Sequence, residues 1–193
     1  MVKVQRRVSG CFPHFSESEM LQNDELMKLI QKKGAHSMES FPQETLEQFI
    51  VRAKQSTYVG GSRKLLPYRL GSKDLQFTEG DWAYHDSYLG ESDFIGQEIV
   101  YYQMKPVWGM NYFGVIIRPD KITSSQAGQM IMKSLSRMYT EGRFLGGFEH
   151  QEGSLRYVDQ NTGDVRSFQG REYISLEDEV VYELLYHGGL LKD

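Results

Sequence analysis

The last two-thirds of this chain spell one residue skeleton twice, and a chain that repeats itself once is expected to fold as two like halves that meet. Gly80, Tyr84, Asp86 and Gly90 recur 73 residues later as Gly153, Tyr157, Asp159 and Gly163. Past a one-residue slip the offset becomes 74, and Phe94, Gly96, Glu98, Val107, Tyr112 and Gly114 fall on Phe168, Gly170, Glu172, Val181, Tyr186 and Gly188. Trp108 meets Tyr182 and Met110 meets Leu184, both swaps of like for like. Two copies are too few for a solenoid, which stacks three or more units. Any ligand site is expected at the junction of the halves.

The pattern of apolar residues supplies the elements. Thr45 can cap a helix whose stripe is Leu46, Phe49, Ile50 and Ala53, ending near Tyr58 before Gly60 and Gly61. The stretch 61–71, with Pro67 among Arg63, Lys64 and Arg69, reads as loop. Strands are expected over 81–88, 96–102 and 106–117, each rich in aromatic and β-branched residues. A second helix, capped by Ser124 or Ser125, turns Ala127, Ile131, Leu135 and Met138 to one side. Three more strands follow, near 154–159, 165–174 and 179–187. Short connections imply antiparallel hairpins, and the helices must bury their stripes on the sheet. The expected fold is therefore a two-layer α+β domain of duplicated helix-plus-three-strand halves, with the helices on one face. The halves are about 45–117 and 124–190, within a domain spanning 38–193. Residues 1–37 read as an N-terminal extension, in which Ser16, Glu19 and the apolar Met20, Leu26, Met27 and Ile30 suit a short helix.

Composition narrows the classes of function. With 193 residues, 39% of them hydrophobic and 12% aromatic, the chain has material for one core. A net charge of −4 gives no support to nucleic-acid binding, which needs clustered Lys and Arg. The single cysteine, Cys11, excludes an internal disulfide framework and a thiolate metal site. No apolar run approaches the ~20 residues of a membrane helix, and the N-terminus lacks a signal-peptide core. The expectation is a soluble cytoplasmic protein that touches neither membrane nor nucleic acid, with no cofactor and no metal. None of the five histidines has metal-ligand spacing.

Strand alternation sorts the repeated residues onto two faces. Trp82, Tyr84 and Asp86 share a side, as do Leu155, Tyr157 and Asp159. Trp108, Met110, Tyr112 and Gly114 share one too, matched by Tyr182, Leu184, Tyr186 and Gly188. One aromatic face is thus built twice. Either these rings are the core beneath the helices, or some of them line a groove at the junction. The number of tyrosines favours the groove, because a buried Tyr must place its hydroxyl on a partner. Glu98 and Glu172 occupy equivalent positions after Phe-x-Gly-x. They read either as a carboxylate pair with one raised pKa or as separate acceptors of backbone N–H groups beside glycine turns. Asp86 and Asp159 precede glycine turns, where Asp usually caps its own backbone. His187 is a lone base near the C-terminus. No nucleophile elbow, P-loop or dinucleotide fingerprint occurs.

Several stretches resemble a bacterial family of domains of unknown function. They are Leu46-Glu47-Gln48-Phe49, Thr57-Tyr58, Gly80-Asp81, Phe94-Ile95-Gly96-Gln97-Glu98, Pro106-Val107-Trp108-Gly109-Met110-Asn111-Tyr112 and Tyr182 through Leu190. The likeness runs from about 45 to 192. Members occur alone or fused behind an XRE-type helix-turn-helix, so the resemblance implies a sensory or regulatory module. Residues 1–37 do not read as such a helix-turn-helix. The duplicated halves also resemble, in architecture alone, the effector-binding domains of GyrI-like regulators, where aromatic walls and a glutamate hold cationic ligands.

Three functions remain open. The first is binding of a small aromatic or cationic ligand between the halves, by Trp82, Tyr84, Glu98, Trp108, Tyr112, Tyr157, Glu172, Tyr182, Tyr186 and His187. The second is a protein-interaction module, with a homodimer as the simplest partner. The third is a hydrolase or isomerase using Glu98, Glu172 and His187, although the absence of enzyme motifs leans against it.

Overall fold

A computed structural model describes residues 43–59 and 66–192, and the expected N-terminal extension lies outside the described residues. Helix α1 spans Gln43–Val59 and α2 spans Ser124–Thr140, seventeen residues each. The strands are β1 (Lys73–Glu79), β2 (Trp82–Gly90), β3 (Phe94–Tyr102), β4 (Lys105–Ile116), β5 (Phe148–Glu152), β6 (Leu155–Asp164), β7 (Ser167–Leu176) and β8 (Glu179–Leu190). They form one sheet of order β1-β2-β3-β4-β8-β7-β6-β5, antiparallel throughout.

This overturns the expected α+β class. Helix-plus-three-strand halves would balance the two layers, but each helix is followed by four strands, and the described chain is dominated by an eight-stranded sheet carrying two helices. The strands that the sequence pattern missed, β1 and β5, are the two edges of the sheet. Each has only one buried residue, Asp74 in β1 and His150 in β5, and the apolar alternation of β1 is limited to the half-buried pair Leu75 and Phe77. Polar edges of this kind also discourage pairing with other chains.

Two four-strand meanders meet at β4 and β8. That pairing is symmetric about Tyr112 opposite Tyr186, with Met110 facing Gly188 and Gly114 facing Leu184. The hairpins β3–β4 and β7–β8 turn through Gln103-Met104 and Glu177-Asp178, all four with positive φ, as two-residue hairpin turns matching the sheet twist require.

Both helices bury one face. In α1 the buried residues are Leu46, Phe49, Ile50, Val51, Ala53, Lys54 and Thr57; in α2 they are Ala127, Met130, Ser134, Met138 and Tyr139. The N-cap of α2 is Thr123, not Ser124 or Ser125; its hydroxyl accepts from the Gln126 N–H and the Gln126 side chain closes the capping box. Helix α1 packs on β1 and β2, and α2 on β5 and β6. Phe49 stacks on Trp82 with ring centroids 5.3 Å apart, joining α1 to the sheet. Among the described residues, no helix is long and apolar enough to cross a membrane.

Candidate functional site

A cavity of about 650 Å³ lies between the helices and the sheet. Its sheet wall comes from both meanders: Asp86, Glu98, Met110 and Tyr112 from the first, Tyr157, Asp159, Glu172, Leu184 and Tyr186 from the second. Helix α2 adds an apolar wall of Ile131, Met132, Leu135 and Met138, and α1 contributes Lys54 and Thr57. The volume falls within the range of small-molecule sites.

Each meander builds the same acidic corner. Asp86 and Glu98 are direct cross-strand partners, and so are Asp159 and Glu172. The Tyr112 hydroxyl donates to Asp86 Oδ1 at 2.7 Å, and the Tyr186 hydroxyl donates to Asp159 Oδ1 at the same distance. A glycine makes each reach possible. Tyr112 lies across Gly96 and Tyr186 across Gly170, their cross-strand partners. A Cβ at Gly96 or Gly170 would stand 2.2 or 2.1 Å from the ring. The Gly of Phe-x-Gly-x-Glu is thus the space a tyrosine needs to cross one strand and hydrogen-bond the next.

The two corners differ in what meets the glutamate. In the first, the Lys54 ammonium lies 2.6 and 2.5 Å from the two Glu98 oxygens, both side chains being buried. In the second, Glu172 accepts from the hydroxyls of Tyr157 at 2.5 Å and Tyr182 at 3.2 Å. Neither arrangement reaches the outer aspartate oxygens. Asp86 Oδ2 and Asp159 Oδ2 are buried without a hydrogen-bond partner. Burial pushes Asp86 up to about 7, helped by the Glu98 charge and opposed by Tyr112 and Lys54. Burial likewise pushes Glu172 up to about 7, against its tyrosine donors, and raises Asp159 against Tyr186, Arg143 and Lys54. Four buried carboxyl groups therefore face one lysine, and two carboxylate oxygens wait for a donor. An orphaned buried acceptor costs about 1–3 kcal/mol, more when charged.

Of the residues expected to bind ligand, Glu98, Tyr112, Tyr157, Glu172 and Tyr186 line the cavity. The others lie elsewhere. Trp82 is packed between Phe49 and Tyr102, and Tyr84 is fully buried core. Trp108 stacks on Phe168, abuts Phe144 edge-on, and donates its indole N–H to the Val165 carbonyl. Tyr182 sits behind the glutamate, stacked on Phe94. His187 is exposed on the opposite face of the sheet, where its Nε2 is 3.5 Å from Asn111. Adjacent strand positions alternate faces, so His187 cannot join the glutamates in acid–base chemistry. The glutamates also pair with aspartates rather than with each other.

Asp86 and Asp159 do not cap turns but accept from tyrosines, and Lys54 was not singled out in the sequence. Its signal was present: a lysine directly after Ala53, four residues past Ile50, stands on the apolar stripe of α1. Among the described residues, no group of three or more His, Cys, Asp or Glu is placed to hold a metal ion.

Residues 86–191 match the model of a family described as Domain of unknown function (DUF5680). The match covers more than half of the chain, which therefore belongs to this family. No curated protein and no solved structure matches the chain.

Proposed function

For a member of a family without an assigned activity, we propose that the cavity binds a small organic cation with an apolar or aromatic body, as a sensory or regulatory module does. The observation that carries this reading is the pair of buried, unpartnered oxygens, Asp86 Oδ2 and Asp159 Oδ2, in a cavity that α2 walls with aliphatic side chains. In a low-dielectric site a carboxylate attracts a cation far more strongly than in water. Surplus acid on the wall rejects anions for the same reason. Tyr112, Tyr157 and Tyr186 supply π faces, each worth roughly 0.5–2 kcal/mol to a cation in contact. The matched Tyr–Gly–Asp corners and the symmetric β4–β8 register support a duplicated origin, with the ligand lodged between the copies.

Thermal shift with paired probes tests this. Aromatic and alkyl ammonium compounds are expected to raise the melting temperature, and carboxylates of the same shape to leave it unmoved. Saturation at a hundredfold excess over Kd contributes about 2.7 kcal/mol, a rise of roughly 5–10 °C in a domain of this size. Equal shifts from anions and cations, or none from either, would remove the reading.

A second reading is self-association through the opposite face of the sheet. Ile95, Phe113 and Leu185 are cross-strand neighbours on β3, β4 and β8, and each is about half exposed (49–54%). Contiguous exposed apolar residues mark interaction surfaces more often than isolated ones. Sedimentation of the chain beside its Phe113→Glu variant decides this: a dimer converted to monomer supports it, and an unchanged monomer removes it.

A further inference from the structure

We infer that the Asp159–Glu172 corner is the subsite for a primary ammonium group, so that the ligand of this cavity is a primary amine whose apolar body lies along Leu135. This rests on the cation reading above and narrows it to one corner and one donor type. The protein already places one primary ammonium in this cavity, that of Lys54.

In the first corner the cation is built in. Lys54, only 4% exposed, holds Glu98 with its ammonium and lies 5.9 Å from the Phe144 ring. The two helices can be aligned by length and burial. Leu46, Phe49, Ala53 and Thr57 of α1 correspond in order to Ala127, Met130, Ser134 and Met138 of α2, all eight buried. In that alignment the place of Lys54 is taken by Leu135. Helix α1 packs on the first two strands of its meander, and α2 does the same on the second. The second corner thus lacks a lysine where the first has one, and Leu135 instead lines the cavity.

The second corner is acid without a cation in contact. Asp159 is 4% exposed, and its Oδ2 has no donor. Lys54 acts on Asp159 and Glu172 only through its field. Arg143 also acts on Asp159, but its N–H groups are taken by Glu141 and by the carbonyls of Leu145 and Gly147. With Glu172 already held by Tyr157 and Tyr182 and no lysine among the described residues reaching this corner, an ammonium entering from the cavity has Asp159 Oδ2 as its free acceptor, on the carboxylate paired across the strands with Glu172. A primary amine has three N–H donors for this purpose. A trimethylammonium group has the charge without donors, and an alcohol has a donor without the charge. The geometry distinguishes the three.

The test uses the full chain and three probes of one shape: phenethylamine, its N,N,N-trimethyl derivative and 2-phenylethanol. Calorimetric titration is run on wild type, Asp159→Asn, Asp86→Asn and Leu135→Lys. The expected result is that phenethylamine binds wild type more tightly than either other probe. Asp159→Asn should weaken it by about tenfold or more, the usual loss for a charge-assisted bond, while Asp86→Asn has the smaller effect. Leu135→Lys supplies the ammonium from within and should abolish phenethylamine binding while raising the melting temperature. Should phenethylamine and its trimethyl derivative bind alike and ignore Asp159→Asn, the subsite is wrong although the cation reading stands. Should neither cation bind wild type, both fall together. If Leu135→Lys does not fold, the ratio of Asp159→Asn to Asp86→Asn still decides, because a site at the first corner reverses it.

Discussion

The two acidic corners share a frame and differ in their donors. Gly96, Tyr112 and Asp86 interlock as Gly170, Tyr186 and Asp159 do, with tyrosine-to-aspartate bonds of equal length. Yet Glu98 is held by a lysine and Glu172 by two phenols. The comparison separates what the sheet needs from what a site needs. Tyr–Gly–Asp is a device for carrying a hydroxyl across a strand, and it recurs because the register recurs. The donor to the glutamate is not part of that device: it comes from α1 in one corner and from Tyr157 and Tyr182, on β6 and β8, in the other.

Removing the unshared donor should have the largest effect. Lys54→Met leaves Glu98 buried without its cation, and breaking a buried pair costs about 3–5 kcal/mol. Denaturant unfolding at pH 7 should show that loss, and adding Glu98→Gln should recover part of it. A loss under 1 kcal/mol would make the first corner no more dependent on its donor than a surface ion pair.

Acidity acts on both corners next. Asp86 and Glu172 are raised to about 7 from ordinary values of 3.8 and 4.5. Across that window the folded chain holds more protons than the unfolded one, so stability falls as pH rises from about 4.5 to just above 7. For Glu172 alone the fall is on the order of 3 kcal/mol. Melting curves from pH 5 to 8 should slope downward, and Glu172→Gln should flatten the slope. A stability maximum at pH 8 in wild type contradicts the burial of both groups.

The shared frame predicts equal, smaller losses. Gly96→Ala and Gly170→Ala each drive a Cβ into a tyrosine ring; overpacking and a broken hydrogen bond together amount to about 2–3 kcal/mol. If only one of the pair is destabilised, the corners are not equivalent. Last come Tyr112→Phe and Tyr186→Phe, expected to cost about 1–2 kcal/mol each by leaving an aspartate oxygen without its donor.

Six of the eight strands were legible because their alternation is strong, as in Trp108, Met110 and Tyr112. The fold class was not, because β5 buries only His150 and β1 adds just the half-buried pair Leu75 and Phe77 to a buried Asp74, too few positions to set a period. Alternation put Asp86, Tyr112 and Tyr157 on repeated aromatic faces, yet it cannot say whether such a face is core or cleft, nor which of its rings meet empty space. Trp82 and Trp108 share that face with Tyr112 and are walled off by Phe49 and Phe168. Lys54 escaped because a lysine within a helical stripe is read one position at a time, and its partner is 44 residues away.

The pairing of β4 with β8 also has a kinetic consequence. All other strand pairs are hairpins between neighbours in sequence, whereas this seam joins Ile116 to Tyr182 and Trp108 to Leu190. Local meanders form before so distant a pairing can repay its loop-closure entropy. The cavity draws its wall from both meanders, so it comes into being only once the seam has closed. A molecule bound there grips the finished state and not the barrier before it. It should therefore leave the folding rate unchanged and slow the opening of the chain.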